Sequence, residues 1–265
     1  MNVTAIPTRD IDRTSRELGL SVCAGELDAT LAALRTLSDA DWSKPTDCTE
    51  WTVHDQLAHV VGQFEGLASL RVFFRRHRVG HRRYPDRTRL AAMTQQQVDD
   101  LGRHSPATLI ARLATVGPKA IRASRRMPSL VRRLDGTRFF PEDPLPDSRL
   151  GYLLDVIAAR DTWMHRVDIA VATGRPLAHA PHEQEIVAQV VRELGDAWTG
   201  PSVVLELTGP SGGRWTLGSG DPIATVRADT VDYLRTLAGR NDHPTLDIDG
   251  DPAVAEALRA ARAVF

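Results

Sequence analysis

Asp161 and His165 combine a carboxylate with an imidazole, two groups that can bind a metal or transfer a proton. A separation of four places both side chains on one face of a helix. That face is otherwise apolar, with Leu154, Ala158, Ile169 and Ala172. A carboxylate and an imidazole there cost free energy unless they are paired or bind a metal. Two interpretations stay open at this point: a buried Asp–His hydrogen bond, with Arg160 or Arg166 as a further partner, and a pair of metal ligands.

A second histidine, His59, lies on an earlier predicted helix. Its helical neighbours are polar or small: Asp55, Gly62, Gln63 and, one turn further, Gly66. For this helix alone we favour a solvent-facing side; the alternative is a cavity wall, where small residues leave room beside the imidazole. Together with Asp161 and His165, His59 would complete a catalytic zinc set with one open coordination position. Asp168, three residues after His165, is placed to orient that imidazole.

Apolar periodicity predicts the helices that would carry these residues. The first helix covers about 12–37, and the second runs from the N-cap Thr52 to about Arg76. A third begins at Ser105–Pro106, and a fourth runs from Asp147–Ser148 to Gly174, where it ends. A fifth covers about 182–198. The basic segment 77–89 and the proline-rich stretch 127–146 are predicted to be loops. Helices in this number before residue 200 predict a bundle, and bundle cores often hold metals.

The sequence changes character after residue 200. Three short strands are predicted up to about residue 228, followed by a helix capped by Asp229, a strand and a last helix. The Gly209–Gly213 turn matches the G-x-S-x-G pattern of serine hydrolases, but a strand follows it, so we predict a hairpin turn. We therefore predict two domains, a helical bundle over 1–200 and an α+β domain over 201–265.

Composition excludes several classes of protein. Hydrophobic residues make up 42% and charged residues 25% of the chain, and its net charge is −1. This balance is ordinary for a soluble protein and gives no reason to expect a nucleic acid or membrane partner. The N-terminal residues lack the apolar core of a secretory signal, and no apolar run is long enough to span a bilayer. Two cysteines make no disulfide framework, so we expect a cytoplasmic protein.

Two motifs together resemble the mycothiol-dependent maleylpyruvate isomerase family of DinB-like metal proteins. The first, CTEWTVHDQLAHV over 48–60, has a Trp-Thr-Val start, an Asp and an Ala-His that ends in His59. The second, RDTWMHRVDIAVATGRP over 160–176, carries Asp161, His165 and Asp168 at the spacing of the family, which usually has Glu at the first position. The stretch ATVRADTVDYLRTLAGRNDHPTLDIDGDPAVAEAL resembles the second domain of the family.

The resemblance implies a mainly α fold, with an N-terminal DinB-like up-down helical bundle and a small C-terminal α+β domain. It also implies a divalent metal, with zinc the first choice, on His59, Asp161 and His165, and the low-molecular-weight thiol mycothiol. A divalent cation lowers the pKa of a thiol and stabilises the nucleophilic thiolate. In an isomerase the thiolate would add to an activated cis double bond of a small, maleylpyruvate-like electrophile; rotation and elimination would give the trans product. In an S-transferase the thiol would stay attached.

The Leu-x-Gly-Arg element of the resemblance points to Arg240 as a residue near the site, where it would bind a substrate carboxylate. The alternative for Arg240 is a charge at a helix C-terminus.

Two other function classes also stay open. One is a metal hydrolase with the same three ligands and a bound hydroxide; the other is a non-catalytic sensor or interaction module.

Overall fold

The computed structural model describes residues 4–143 and 145–265. Residues 1–3 and Pro144 lie outside these ranges. The predictions for the N-terminal residues and for the proline-rich stretch 127–146 therefore include positions that the structure does not describe. The described chain forms two compact units, one over residues 15–178 and one that combines the residues before Ser15 with residues 179–265. Within the described ranges, no helix is long and apolar enough to cross a membrane.

The unit over residues 15–178 is a helical bundle, as predicted. Its helices are α1 (Arg16–Leu34), α2 (Val53–Ala68), α3 (Leu70–Arg83), α4 (Arg89–Leu101), α5 (Pro106–Arg126), α6 (Ser129–Arg132), α7 (Leu150–Tyr152) and α8 (Ala158–Thr173). A π-helical turn, Leu153–Ile157, joins α7 to α8. Helix α2 packs against α3, α4, α5 and α8. One face of α2 is buried, with Val53, Leu57, Val60 and Phe64 almost fully covered.

Capping residues set the ends of the helices that carry the candidate ligands. The Thr52 hydroxyl accepts a hydrogen bond from the backbone N–H of Asp55, and the Asp55 carboxylate accepts one from the backbone N–H of Thr52. This capping box starts α2 at the predicted position. Gly174 ends α8 with a left-handed backbone, φ 68°, which glycine adopts without steric cost. Both ends were predictable because they depend on local residues.

The predictions for residues 69–83 are wrong in two respects. Helix α2 ends at Ala68 rather than near Arg76, because Ser69 takes an extended backbone and α3 begins immediately after it. The segment predicted as a loop is helical as far as Arg83. Its basic side chains pair with carboxylates on α4, as in the 2.9 Å contact between Arg83 and Asp99. Tertiary ion pairs thus add to the contacts of a helix whose last two turns, HRVGHRR, are mostly basic.

Helix α4 is absent from the sequence-based assignment. Its sequence, RLAAMTQQQVDDL, is largely polar. The helix nevertheless packs on α2 and α3 and buries Ala92, Met93, Val98 and Leu101. Gln96 and Gln97 are also buried. Burial of polar residues is not expected from the sequence, because polar residues in a helical pattern are assigned to the solvent-facing side.

The other unit is an α+β unit, as predicted. Its elements are β1 (Ile6–Pro7), α9 (Glu183–Ala197), β2 (Val203–Thr208), β3 (Gly213–Leu217), β4 (Ala224–Asp229), α10 (Thr230–Leu237), β5 (Asp247–Gly250) and α11 (Val254–Ala260). The strand order is β1-β3-β2-β4-β5. Strand β2 runs antiparallel to β3 and parallel to β4, while the unpredicted β1 runs parallel to β3.

Helix α9 belongs to the compact unit of the sheet, so the division falls before α9 and not at residue 200. Its buried face consists of Ile186, Val187, Val190, Val191 and Leu194. Thr8 approaches α9 so closely at Gly195 that a Cβ there would lie 2.1 Å from the Thr8 hydroxyl oxygen. The N-terminal segment therefore packs on this helix, a long-range contact that local sequence cannot reveal.

The Gly209–Gly213 segment turns between β2 and β3, as predicted. Gly209 adopts a positive φ of 107°. The hydroxyl of Ser211 is buried and donates a 3.0 Å hydrogen bond to Oε2 of Glu183. Strand β3 follows this serine directly, so the arrangement differs from a hydrolase nucleophile elbow, in which a helix follows the nucleophile.

Candidate metal centre

His59 on α2 and both Asp161 and His165 on α8 converge on one point of the helical unit. Nε2 of His59 lies 3.3 Å from Oδ2 of Asp161. Nε2 of His165 lies 3.5 Å from Oδ1 of the same carboxylate. The centroids of the two imidazole rings are 4.9 Å apart. The bundle therefore brings together the three residues that the sequence singled out.

The donor set fits a divalent cation. Two ligand atoms bound to one tetrahedral Zn²⁺ at about 2.0–2.1 Å lie roughly 3.4 Å apart. The two distances from Asp161 to the imidazoles match that separation. The ligand atoms of all three residues lie within 4.8 Å of one another. Asp161, although one methylene shorter than Glu, therefore reaches both imidazoles.

Two glutamines hold the His59 side of the centre. Oε1 of Gln97 lies 2.8 Å from Nδ1 of His59. Because an amide oxygen only accepts hydrogen bonds, Nδ1 carries a hydrogen, and Nε2 is the ring nitrogen that faces Asp161. Gln63 donates a 2.7 Å hydrogen bond from Nε2 to Oδ2 of Asp161. Sequence reasoning missed Gln97 because α4 was not recognised.

Asp168 lies on the His165 side of the centre, where its spacing places it. Its Oδ2 lies 3.4 Å from Nδ1 of His165, a contact looser than a hydrogen bond. The carboxylate is fully buried and accepts a 3.0 Å hydrogen bond from Nε2 of Gln56. The thiol of Cys48 also lies 3.8 Å from this carboxylate. Cys48, His165 and Asp168 thus form a second possible ligand group, which shares His165 with the first.

Burial and charge shift the pKa values of the central residues in opposite directions. Burial disfavours the charge of Asp161, but the adjacent His165 and His59 outweigh it and hold the pKa of the carboxyl well below its usual range. Burial likewise lowers the pKa of His165, but the carboxylates of Asp161 and Asp168 raise it well above its usual value. The negative charge at this point therefore attracts a cation, which is a proton where no metal is bound.

The neighbouring arginines do not pair with Asp161. Arg166 instead forms a buried ion pair with Glu26 of α1, through contacts of 2.7 and 3.0 Å. Nη1 of Arg160 lies 3.4 Å from the hydroxyl of Tyr152. Both arginines are buried and fix α8 in the bundle. The partners that the structure gives Asp161 are His59, His165 and Gln63.

Trp51, just before α2, packs against the centre. Its ring centroid lies 5.0 Å from that of His59 and 6.2 Å from that of His165. Its indole N–H donates a 3.2 Å hydrogen bond to Oε1 of Gln95. The indole therefore packs against imidazoles of both α2 and α8 while its N–H is held by α4.

Arg240 lies in the α+β unit, after α10. Its Nη1 donates a 3.2 Å hydrogen bond to the carbonyl of Ala238, the C-cap residue of that helix. The preceding Gly239 has a left-handed φ of 71°. This geometry agrees with a charge at a helix C-terminus. The role of Arg240 in binding a substrate carboxylate stays a prediction.

Comparison with known families identifies the group to which this chain belongs. Residues 23–170 match the mycothiol maleylpyruvate isomerase N-terminal domain, and residues 180–257 match the MDMPI C-terminal domain. The chain belongs to the mycothiol maleylpyruvate isomerase family. All three candidate ligands lie within the first matched region, and Arg240 lies within the second.

Similar proteins are found at low identity. Two uncharacterized proteins, from two strains of Mycobacterium tuberculosis, are each 25% identical over 250 residues, covering 84% of this chain and 84% of the relative. Two crystal structures share the fold. A mycothiol-dependent maleylpyruvate isomerase aligns with a TM-score of 0.56 and a sequence identity of 17%. A histidine-to-alanine mutant of a mycothiol-dependent maleylpyruvate isomerase aligns with a TM-score of 0.58 and a sequence identity of 16%. Both alignments cover 94% of this chain and 99% of the other.

Proposed function

We propose that this protein is a divalent-metal-dependent enzyme that uses mycothiol to isomerise, or to conjugate, a small electrophile. One observation carries the proposal: Nε2 of His59 and Nε2 of His165 both face the carboxylate of Asp161. Family membership supports the thiol, since the solved structures of the same fold are named mycothiol-dependent maleylpyruvate isomerases. Zinc is the proposed metal, because two imidazoles and a carboxylate leave one of its positions open.

The residues of the chain have separate roles in this proposal. His59, Asp161 and His165 would hold the cation, which when bound lowers the pKa of the thiol and stabilises its thiolate. Gln97 and Asp168 orient the two imidazoles, and Gln63 positions the carboxylate of Asp161. Arg240 would bind a carboxylate of the substrate. A cytoplasmic location accords with a reduced thiol as co-substrate.

Metal content tests the first half of the proposal. We expect close to one equivalent of zinc or another divalent metal in the purified protein by inductively coupled plasma mass spectrometry, and a loss of most of it in His165→Ala and Asp161→Ala. His81→Ala is the matched control, because His81 lies on the exposed side of α3. Metal retained in both ligand variants, or no uptake by the wild type after incubation with zinc, would contradict the proposal.

Thiol dependence tests the second half. We expect the metal-loaded protein to accelerate the isomerisation of maleylpyruvate, or the consumption of an activated alkene, only when mycothiol is present. Turnover without any thiol would instead indicate the hydrolase, in which a metal-bound hydroxide is the nucleophile. Metal binding without turnover of either kind would indicate the sensor or interaction module.

A further inference from the structure

An apolar cavity lies beside the metal centre in the helical unit. Its volume is about 250 Å³. Helices α2, α3 and α4, the π-helical turn and the segment before it supply its walls. The lining side chains are mostly aromatic and aliphatic and include Phe73, Met93, Phe139, Phe140, Leu154 and Ile157. An apolar lining of this kind favours an apolar occupant.

The cavity and the metal centre share two residues. Gln63 lines the cavity and donates its amide hydrogen to Asp161. Gln97 also lines it and accepts the hydrogen bond from His59. Gly66, one turn after Gln63 on α2, lines the same wall. Gln63 and Gly66, which follow His59 on α2, therefore form part of a cavity wall and not the solvent-facing side favoured for this helix from its sequence.

The charged side chain in the cavity wall, Arg76, already forms ion pairs within the protein. Arg76 is almost fully buried and donates a 2.9 Å hydrogen bond from Nη1 to the carbonyl of Gly62. Its Nη2 lies 2.6 Å from Oε2 of Glu65 and its Nε 3.0 Å from Oδ2 of Asp100. Its guanidinium thus faces two carboxylates of the chain itself. A carboxylate placed in the cavity would have to compete with both of them.

The rim of the cavity is also apolar. Leu70 is 55% exposed, Phe74 48% and Leu134 54%, and all three belong to the cavity lining. Exposed large apolar side chains gathered at the mouth of a cavity mark a site for an apolar ligand. An apolar cavity of about 150 Å³ is large enough to bind benzene. The larger volume here accommodates a substituted ring.

We propose that this cavity binds the apolar part of the electrophile, so that the substrate class is an activated alkene bearing an aromatic ring or a branched alkyl group. This inference rests on the proposed function. In the conjugation, the sulfur of the thiol would bond to the β carbon of the alkene, and the thiol proton would go to the α carbon. The lining suits such a compound better than a small dianionic acid, because it offers apolar surface and an arginine already paired.

Binding of an unreactive probe tests the cavity without any chemistry. We expect ethylbenzene to bind the protein, measured by calorimetry and by chemical-shift changes of Met93, and Gly66→Leu to weaken binding roughly tenfold or more. A Cβ on Gly66 would meet Phe73 at 3.8 Å, an ordinary contact, so a larger side chain there extends into the cavity. Ala68→Leu places the same leucine side chain on α2 outside the lining and is the matched control.

A second variant covers the case in which Gly66→Leu does not fold. Leu134→Asp places a charge on the exposed rim and should also weaken ethylbenzene binding, with little effect on folding. Equal affinity in the wild type, Gly66→Leu and Leu134→Asp would overturn the inference, as would no binding to the wild type. Self-association that buries the rim and excludes the probe would overturn it too.

Turnover separates this inference from the proposed function. The pair 4-phenylbut-3-en-2-one and methyl vinyl ketone shares the enone and differs in the phenyl group. We expect Gly66→Leu to lower kcat/KM roughly tenfold for the phenyl compound and little for the other. Equal losses for both, with thiol-dependent turnover intact, overturn the inference alone. Ethylbenzene binding without turnover of either enone or of maleylpyruvate overturns the proposed function and leaves the cavity as an apolar site.

Discussion

Oε1 of Gln97 accepts a hydrogen bond of 2.8 Å from Nδ1 of His59, and this contact connects α4 to the candidate metal centre. It fixes the tautomer of His59 and the orientation of its ring. We expect Gln97→Met to lower the affinity for Zn²⁺ by about 10- to 100-fold, because the loss of such a supporting contact frees the imidazole. Competition with a chromophoric chelator measures this affinity.

Gln97→Glu is the informative companion, since glutamate keeps an acceptor for Nδ1. We expect it to retain the zinc affinity of the wild type. Equal weakening in Gln97→Met and Gln97→Glu would mean that packing of the amide, and not the hydrogen bond, supports His59.

Alanine substitutions at two glycines of α2, Gly62 and Gly66, should affect the stability of the protein differently. A Cβ on Gly62 would lie 2.5 Å from Cβ of Gln97, so Gly62→Ala forces α4 away from the metal centre. We expect lower stability and weaker zinc binding. Gly66→Ala makes only ordinary contacts and should change the free energy of unfolding by less than about 1 kcal/mol, because alanine favours a helix over glycine. Urea denaturation of both variants measures this, and equal stabilities would contradict the close approach.

The buried ion pair between Glu26 and Arg166 anchors α8 to α1. Both side chains are almost fully buried. Arg166→Met leaves the carboxylate of Glu26 buried without its cation, and we expect it to lower the free energy of unfolding by about 3–5 kcal/mol. The double variant Glu26→Leu/Arg166→Met should regain most of that loss, since neither charge is then left alone. A loss of similar size in the double variant would point to packing instead of charge.

The two cysteines should differ in reactivity. Burial, with a smaller effect of Glu26, raises the pKa of the Cys23 thiol to about 12. Cys23 is therefore a protonated, inaccessible thiol at pH 8, while Cys48 is only half-buried. We expect iodoacetamide to alkylate Cys48 alone in the native protein and both residues in urea, as read by peptide mass spectrometry. Native labelling of Cys23 would show that α1 opens readily.

Much of the centre was predictable from the sequence because its determinants are local. The spacing from Asp161 to His165 places both on one face of α8, and the capping box at Thr52 sets the phase of His59 on α2. The confirmed fold follows from helical periodicity in the first part of the chain and from short strands in the last part. The ligand roles of these residues stay predictions until metal is measured.

The rest depends on contacts between distant residues. Gln97 lies 38 positions after His59, on a helix whose buried face includes polar side chains, so its sequence does not indicate that Gln97 is buried. The two-residue strand β1 forms only because β3 offers an edge. The basic helix α3 depends on carboxylates of α4. The apolar cavity likewise combines side chains from several helices, so the sequence of a single segment does not predict it.

The π-helical turn Leu153–Ile157 comes just before the two ligands of α8. Such a turn holds one residue more than an α-helical turn. Deleting a single residue from it would rotate everything that follows by about 100° around the helix axis. Asp161 and His165 would then face away from His59 although both remained in the sequence. Within this family, an insertion or deletion at this turn could therefore create or abolish a metal centre while every ligand stays in place, so alignments that score only the motif would misassign such members.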